Sequence, residues 1–508
     1  MYRPSVRARR YAPIVVLIAG LIGATPVLAG AYATSGLTDT TGASVFAGCT
    51  SDDVAGQQSA FGSQLFPNSE VEPWLDVNPT NSANIVGGYQ QDRWSDGGSR
   101  GDATSVSLDG GATWRQAAIP GVTKCGGGPF DRSTDPWLSF GPTGQLWFVS
   151  QAFNVFDGRT GMLVSRSTDG GQTWGQPVDV APNASNPPRF PFDDKVALTA
   201  DPTDPNAVYV VWDEGLIPLS WVLSHNGNFP FWGSKQPTLL ARTIDGGRTW
   251  EQPRVIYDPG ANNFTLFNQI AVLPNGTLVD SLFEFLTRKN NDGNGQFSAN
   301  ISILRSTDKG VHWSAKPVRI AQIVDTFLSD VIEFQRVGGQ AIAVDRNPSS
   351  PGYGNLYAVW LDGRFSGSQF GDIAFSMSKD GGLTWSTPAR ANLTPRGHSA
   401  FTPSVAVAAD GTVGVGYYDE RFYTGSGPIL TDVWFSHCHA TTDCTQTGNW
   451  AETHVAGSFD QSQAPFSRGL FLGDYAGLGV DGNDFLPYYA IAGTASDPSD
   501  VFFARVGP

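Results

Sequence analysis

The chain is poor in positive charge, in sulfur and in long apolar runs. Lys and Arg number 32 against 47 Asp and Glu, a formal net charge of −15, and there are only 6 His, 4 Cys and 3 Met among 508 residues. The shortage of base excludes a nucleic-acid partner, whose phosphates demand a basic footprint. No His-Glu-x-x-His occurs, so the common helical zinc motif is absent. Beyond the N-terminus no stretch approaches the ~18 uninterrupted apolar residues of a spanning helix, and no long amphipathic helical pattern occurs. The shortage of helix signals, with 60 Gly, 34 Pro and 12% aromatics, leaves an all-β chain rich in turns.

The one apolar run is a targeting signal. Arg3, Arg7, Arg9 and Arg10 precede the apolar stretch Ile14 to Leu28, and small-residue cleavage candidates follow at Ala29 and Ala33. Residues 1–33 are read as a signal peptide, 34–70 as an N-terminal segment and 71–508 as one domain. Removing residues 1–33 takes away four Arg and no acid, moving the charge from −15 to −19. The expected location is outside the cell, with no stable membrane span after cleavage and a monomeric state. In that oxidising setting the four cysteines imply two disulfides. Cys438 with Cys444 is the close pair, leaving Cys49 with Cys125. The His437-Cys438-His439 run with Cys444 matches no standard zinc-finger spacing.

What the chain does have is repetition. Five octapeptides run hydroxyl residue, any residue, Asp, Gly or Lys, Gly, two residues, Trp: Ser107–Trp114, Ser167–Trp174, Thr243–Trp250, Ser306–Trp313 and Ser378–Trp385. Their tryptophans lie 60, 76, 63 and 72 positions apart, the spacing of a supersecondary unit used repeatedly. Two short β-branched and aromatic runs joined by a turn precede each octapeptide, a third leads into it and a fourth follows. That is a four-stranded meander with the octapeptide as the turn between strands three and four. A sixth copy has decayed to Asp432–Ser436 and Asn449-Trp450, with the Cys438–Cys444 insertion in the turn. A seventh hairpin, Gly473 to Tyr489, and a third strand, Val501 to Val506, lack an octapeptide. Their missing outer strand is expected from residues 35–70. Repeated sheets of this kind close radially as a β-propeller, with seven blades expected and six as the alternative.

These octapeptides resemble the Asp-box, or bacterial neuraminidase repeat, and the resemblance covers essentially all of the chain after residue 33. It implies a propeller of sialidase-like type in which the boxes are scaffold on the side away from the ligand. It leaves activity open, since the superfamily holds sialidases, other glycoside hydrolases, lyases and non-catalytic receptors. The longer connections, Asp213–Gln236, Glu284–Ala299, Ser314–Gly338 and Ala451–Leu472, mark the opposite face as the working one.

Three second strands end alike on that face: Asp92-Arg93, Asp362-Gly-Arg364 and Asp419-Glu420-Arg421. Sialidases grip a substrate carboxylate with an arginine triad, for which planar guanidinium geometry is suited. The resemblance therefore implies Arg93, Arg364 and Arg421 as that triad, Tyr418 or Tyr488 with Glu420 as nucleophile pair, and Asp92 as acid/base, with hydrolysis retaining configuration. The alternative is that each Asp–Arg pair is a latch between blades. The Phe/Tyr-Arg-Ile-Pro motif that sialidases carry ahead of their first box has its nearest counterpart in Pro188–Pro191, after the second box.

Acids also recur at the starts of innermost strands: Glu72, Asp135, Asp194 and Asp474. They are expected to ring the axis and meet substrate, as paired carboxylates do in glycoside hydrolysis. Asn290–Gly295 lacks the terminal Glu of a calcium loop and is read as a turn. No metal ligand set and no cofactor is expected. The expected activity is that of an exported glycoside hydrolase acting on terminal acidic sugars, with carbohydrate as partner. A glycan- or protein-binding propeller without turnover is the alternative.

Overall fold

A computed structural model describes residues 32–182, 189–218, 235–288, 296–324 and 339–508. Most of the expected signal peptide, the Asn290–Gly295 turn and much of three long connections lie outside the described residues. The described chain is almost wholly β, arranged as successive four-stranded antiparallel sheets.

Sheet A comprises Leu65–Val77, Ile85–Trp94, Ser99–Ser107 and Arg115–Ala118, and sheet B Arg132–Phe140, Leu146–Phe153, Thr160–Ser167 and Val178–Asp179. Sheet C comprises Arg189–Ala200, Val208–Pro218, Thr238–Thr243 and Arg254–Tyr257. Sheet D follows with Phe264–Val272, Leu278–Arg288, Gln296–Ser306 and Val318–Gln322. Sheet E has Gln340–Val344, Leu356–Asp362, Asp372–Ser378 and Ala389–Arg390; sheet F has Ala400–Val407, Val413–Asp419, Leu430–Cys438 and Ala451–Asp460. Sheet G has Gly477–Asp481, Asp484–Thr494 and Asp497–Gly507, and its outer strand is Ala33–Asp39, which pairs antiparallel with Asp497–Gly507 from Ala33↔Gly507 to Asp39↔Phe502. The first strands of consecutive sheets touch one another in sequence, and that of sheet G touches that of sheet A. This is the closed radial packing of a β-propeller.

The octapeptides are turns, and their hydrogen bonds explain their composition. In the first, Asp109 accepts from the backbone N–H of Thr113 at 2.9 Å and its hydroxyl at 2.6 Å, while Ser107 Oγ accepts from Gly111 N at 2.8 Å. The Thr113 hydroxyl bond, then its N–H, holds the Asp109 carboxyl down to about 2. Gly111 adopts φ +97°, and a Cβ there would run into the Phe503 ring of sheet G. The tryptophans pin each sheet to the one before it. Trp114 sits 5.1 Å from the Phe503 ring, Trp174 donates to Thr104 Oγ1 at 3.3 Å, and Trp250 makes an edge contact with Trp147 at 6.2 Å. Trp450 does the same against Phe375 at 5.1 Å without an octapeptide. There the Cys438–Cys444 disulfide closes the turn, and Trp450 Nε1 donates to Cys444 O at 3.0 Å.

Both expected disulfides are present, Cys49–Cys125 spanning 76 positions and Cys438–Cys444 spanning 6. Loop-closure entropy grows with span, so the paired change Cys49→Ala with Cys125→Ala is expected to cost about 4 kcal/mol and Cys438→Ala with Cys444→Ala about 2 kcal/mol. Urea unfolding of both double variants checks the order. A larger loss from the short loop would reverse it.

Candidate functional site

One irregularity recurs at the start of the innermost strands and builds the site. The register of the first two strands slips between Val71 and Trp74, Thr134 and Trp137, Asp194 and Ala197, Leu266 and Gln269, and Phe401 and Ser404. Within each slip one residue takes a left-handed backbone: Glu72 at φ +55°, Asp135 at +50°, Lys195 at +55°, Phe267 at +61° and Thr402 at +50°. A non-glycine residue there costs ~1–2 kcal/mol, so each slip is a constraint held by the surrounding sheet.

The slips bring Glu72, Asp135 and Lys195 together. Lys195 Nζ lies 3.0 Å from Asp135 Oδ1 and 3.5 Å from Glu72 Oε1, and it also donates to Asp474 Oδ2. All four residues are at most 6% exposed. Gly473, beside Asp474, has φ +143° and packs against the Glu72 backbone, where a Cβ would meet Glu72 N. Gln90 Nε2 donates to Glu72 Oε2. Trp74 and Trp137 stack at 3.6 Å beside the cluster, with Tyr475 edge-on to Trp137 at 5.1 Å.

Burial raises the Glu72 carboxyl most, Asp135 and Asp474 add to it, and Lys195 and Arg93 oppose it; the result is about 7 against an ordinary 4.5. Asp102, also buried, is pushed well up by burial first and by Asp135 and Glu72 next. A carboxyl that titrates near neutrality beside two other acids is the pattern of divided acid and base roles.

Three of the four expected axial acids therefore meet. Asp194 does not join them: it is half-buried, and its Oδ1 accepts from the backbone N–H of Lys195 at 3.1 Å. The residue in register with Glu72 and Asp135 is Lys195, one position on. The sequence signal was the acid-Pro-Trp string at Glu72-Pro73-Trp74 and Asp135-Pro136-Trp137, which sheet C replaces by Lys195-Val196-Ala197.

The expected arginine triad separates. Arg93, 2% exposed, joins the axial network: it donates to Gln90 Oε1 and to Ser467 Oγ at 3.2 Å, with Phe471 under its guanidinium at 4.7 Å. Arg364 instead grips its own strand's Asp362, Nε–Oδ1 2.9 Å and Nη2–Oδ2 2.7 Å, and donates to Gln322 O in sheet D. Arg421 is held by Asp419 (Nε–Oδ2 2.7 Å) and Glu452 (Nη1–Oε2 2.6 Å, Nη2–Oε1 2.9 Å) and lies on Trp434 at 3.4 Å. Both make bidentate ion pairs. Arg364 also reaches the neighbouring sheet D, as a latch between blades would, whereas Asp419, Glu452 and Trp434 around Arg421 all belong to sheet F. The local backbone explains the difference. Asp362 and Asp419 end their strands, and each accepts from the backbone N–H two residues on, Arg364 N at 2.9 Å and Arg421 N at 3.3 Å, so a turn folds each arginine back onto its acid. Asp92 and Arg93 both lie within Ile85–Trp94, with Asp92 at φ +62°.

The remaining expected residues lie in blade contacts away from Lys195 or make backbone hydrogen bonds. Asp92 accepts from Asn68 N at 2.8 Å and Ser44 Oγ at 2.9 Å, tying down the N-terminal segment. Tyr418 donates its hydroxyl to Ala490 O at 2.9 Å, and Tyr488, wholly buried, packs on Gly87. Burial pushes both phenols well above their ordinary 10, opposite to what a phenolate nucleophile requires. Glu420 is buried, its backbone N–H donating to Ser399 O at 3.2 Å.

No family model matches the chain. Among curated proteins it is 31% identical over 111 residues to "Vacuolar protein sorting/targeting protein PEP1" of Saccharomyces cerevisiae strain RM11-1a, a match spanning 22% of this chain and 7% of that protein. Similar solved structures include a Penicillium chrysogenum α-L-arabinanase complexed with arabinobiose, at 13% identity over 93% of this chain and 98% of that one, with a TM-score of 0.44. A Ruminococcus gnavus intramolecular trans-sialidase complexed with oseltamivir carboxylate is 14% identical over 87% and 95%, with a TM-score of 0.41. Among the described residues, no helix is long and apolar enough to cross a membrane.

Proposed function

We propose that the chain is a glycan-active hydrolase working at the axial cluster of a seven-bladed Asp-box propeller. The observation that carries this is the meeting of Glu72, Asp135 and Asp474 on Lys195, with the Glu72 carboxyl raised to about 7. Glu72, protonated at mildly acidic pH, is the proton donor to the departing glycosidic oxygen; Asp135 or Asp474, each paired with Lys195, is the second carboxylate of the pair. Trp74, Trp137 and Tyr475 supply aromatic surface beside it.

The narrower reading, release of terminal acidic sugars, rests on Arg93 with Lys195 as the cations for a substrate carboxylate. A second reading, glycan binding without turnover, is favoured by the burial of all three acids to 3% exposure or less. Export fits both readings: cleavage after Ala29 retains Tyr32, which is buried and stacks on His437 at 3.9 Å. The segment that follows it, through Ala33–Asp39, then completes the last blade of a monomeric, extracellular propeller.

The test is turnover by the processed chain on a panel of aryl glycosides, acidic sialosides and neutral furanosides and pyranosides alike. Release from the sialoside alone supports the acidic-sugar reading, and release from a neutral glycoside supports hydrolysis with a different sugar. Absence of release from every member, with binding on a glycan array, overturns the hydrolase in favour of the binding propeller.

A further inference from the structure

A second group of carboxylates, away from the axis, lies at the seam where sheet G meets sheet A. Glu70 belongs to the first strand of sheet A; Asp497 and Asp500 belong to the third strand of sheet G. One carboxylate oxygen from each lies within 4.8 Å of the other two. Ser69 bridges Ser499 in parallel, and Ser499 Oγ donates to Glu70 O at 2.9 Å, so the two strands are held in register here.

The Glu70 side chain is wholly buried. Its Oε1 accepts from Gln91 Nε2, while its Oε2 is buried with no hydrogen-bond partner. Asp497 Oδ1 accepts from Asn68 Nδ2 at 2.6 Å, and Asp500 Oδ1 accepts from Thr41 Oγ1 at 3.2 Å. The charged groups facing the trio are more acids, Asp92 toward Glu70 and Asp39 toward Asp500. Arg100 is engaged with Asp52 and Asp92. Burial, then neighbouring acids, pushes the Asp500 carboxyl up to about 6 and Glu70 well above the carboxylate range. Leaving a buried carboxylate oxygen unmatched among like charges is costly. A cation shared by the three would remove that cost.

We propose that Glu70, Asp497 and Asp500 form a divalent-cation site, of calcium type, that staples the first sheet to the last. Carboxylate oxygens are the donors of hard cations. Oxygens each ~2.4 Å from one Ca2+ stand no more than about 4.8 Å apart, and the three carboxylate oxygens fall within that limit. Asp39 and Thr41, reached through Asp500, place the N-terminal strand within the same electrostatic unit. The expectation of no metal ligands is thereby revised at a place where the acids are scattered over more than 400 positions of sequence.

The experiment uses the whole processed chain, stripped with EDTA and titrated with CaCl2 alone, read by calorimetry and by thermal unfolding. One Ca2+ per chain is expected, with a dissociation constant no weaker than the ~10⁻³ M limit of extracellular sites, and a rise in Tm that saturates with the same constant. Asp500→Asn and Asp497→Asn are expected to weaken binding at least tenfold. In EDTA these variants should be no less stable than the unsubstituted chain, since a repulsive charge has gone; that separates a lost ligand from a misfolded protein. Absence of heat and of a Tm shift, or a Ca2+ response unchanged in both variants, overturns the site. Glycoside turnover is not the readout, so the outcome is independent of the axial cluster.

Discussion

Lys195→Met is expected to destabilise the protein by about 3–5 kcal/mol at neutral pH, the cost of stripping the counter-charge from a buried ionic group. Methionine keeps most of the lysine stem, so little cavity arises, and the loss is electrostatic. Asp135, Asp474 and Glu72 then face one another, with Arg93 acting on Glu72 from nearby. The deficit must depend on pH. The folded Glu72 carboxyl stands at about 7 against an ordinary 4.5, so its contribution to stability is complete below about 4.5 and is lost as pH rises through 7. Without the ammonium the folded value rises further. The variant's deficit should therefore be smallest near pH 5, where Glu72 carries its proton, and largest near pH 8. Urea midpoints at the two pH values measure it, and adding Glu72→Gln should return part of the loss. Equal deficits at both pH values would mean that the lysine acts through packing alone.

Glu72→Gln in the otherwise unchanged chain separates chemistry from scaffold. Glutamine retains the shape and a partner for Gln90 but cannot yield a proton, so turnover on a responsive glycoside should fall by roughly 10²–10⁴-fold. Stability should hold or rise, because one of three clustered acids has lost its charge. The unsubstituted chain should lose kcat/KM as pH rises through about 7, and that limb should vanish in the variant. If turnover persists and its alkaline limb is unmoved, Glu72 is a scaffold acid and the proton comes from another group.

How much of this was legible beforehand divides along a physical line. Features set by local hydrogen bonding were readable, namely the octapeptide turns and their tryptophans; both disulfides were readable because four cysteines with one close pair leave a single remaining pairing. The decayed turn was readable through Trp450, because a ring that locks adjacent sheets is retained even where the turn is rebuilt. The axial acids Glu72, Asp135 and Asp474 were found as strand starts. Lys195 was missed because a one-residue slip decides which of two adjacent side chains faces the axis, and such a slip leaves no local signature in Asp193-Asp194-Lys195. The three arginines were grouped by a shared ending, although their spacing to the preceding acid already differed. An acid that ends a strand can accept from the N–H two residues on and draw that arginine back onto itself, which a directly adjacent arginine does not allow. The seam carboxylates were invisible for another reason: Glu70 and Asp500 become neighbours only when the ring closes.

That closure also has a mechanical side. Ala33 pairs with Gly507, and the two strands run antiparallel from there, with pairing extending to Asp39 and Phe502. Ala33 and Gly507, close to the two ends of the described chain, thus lie side by side at the same end of one ribbon. A load applied between them peels the ladder open one bond after another instead of shearing all its bonds at once. The ring should accordingly be soft to tension along its own ends and far stiffer to a pull between, for example, the third strands of two adjacent sheets.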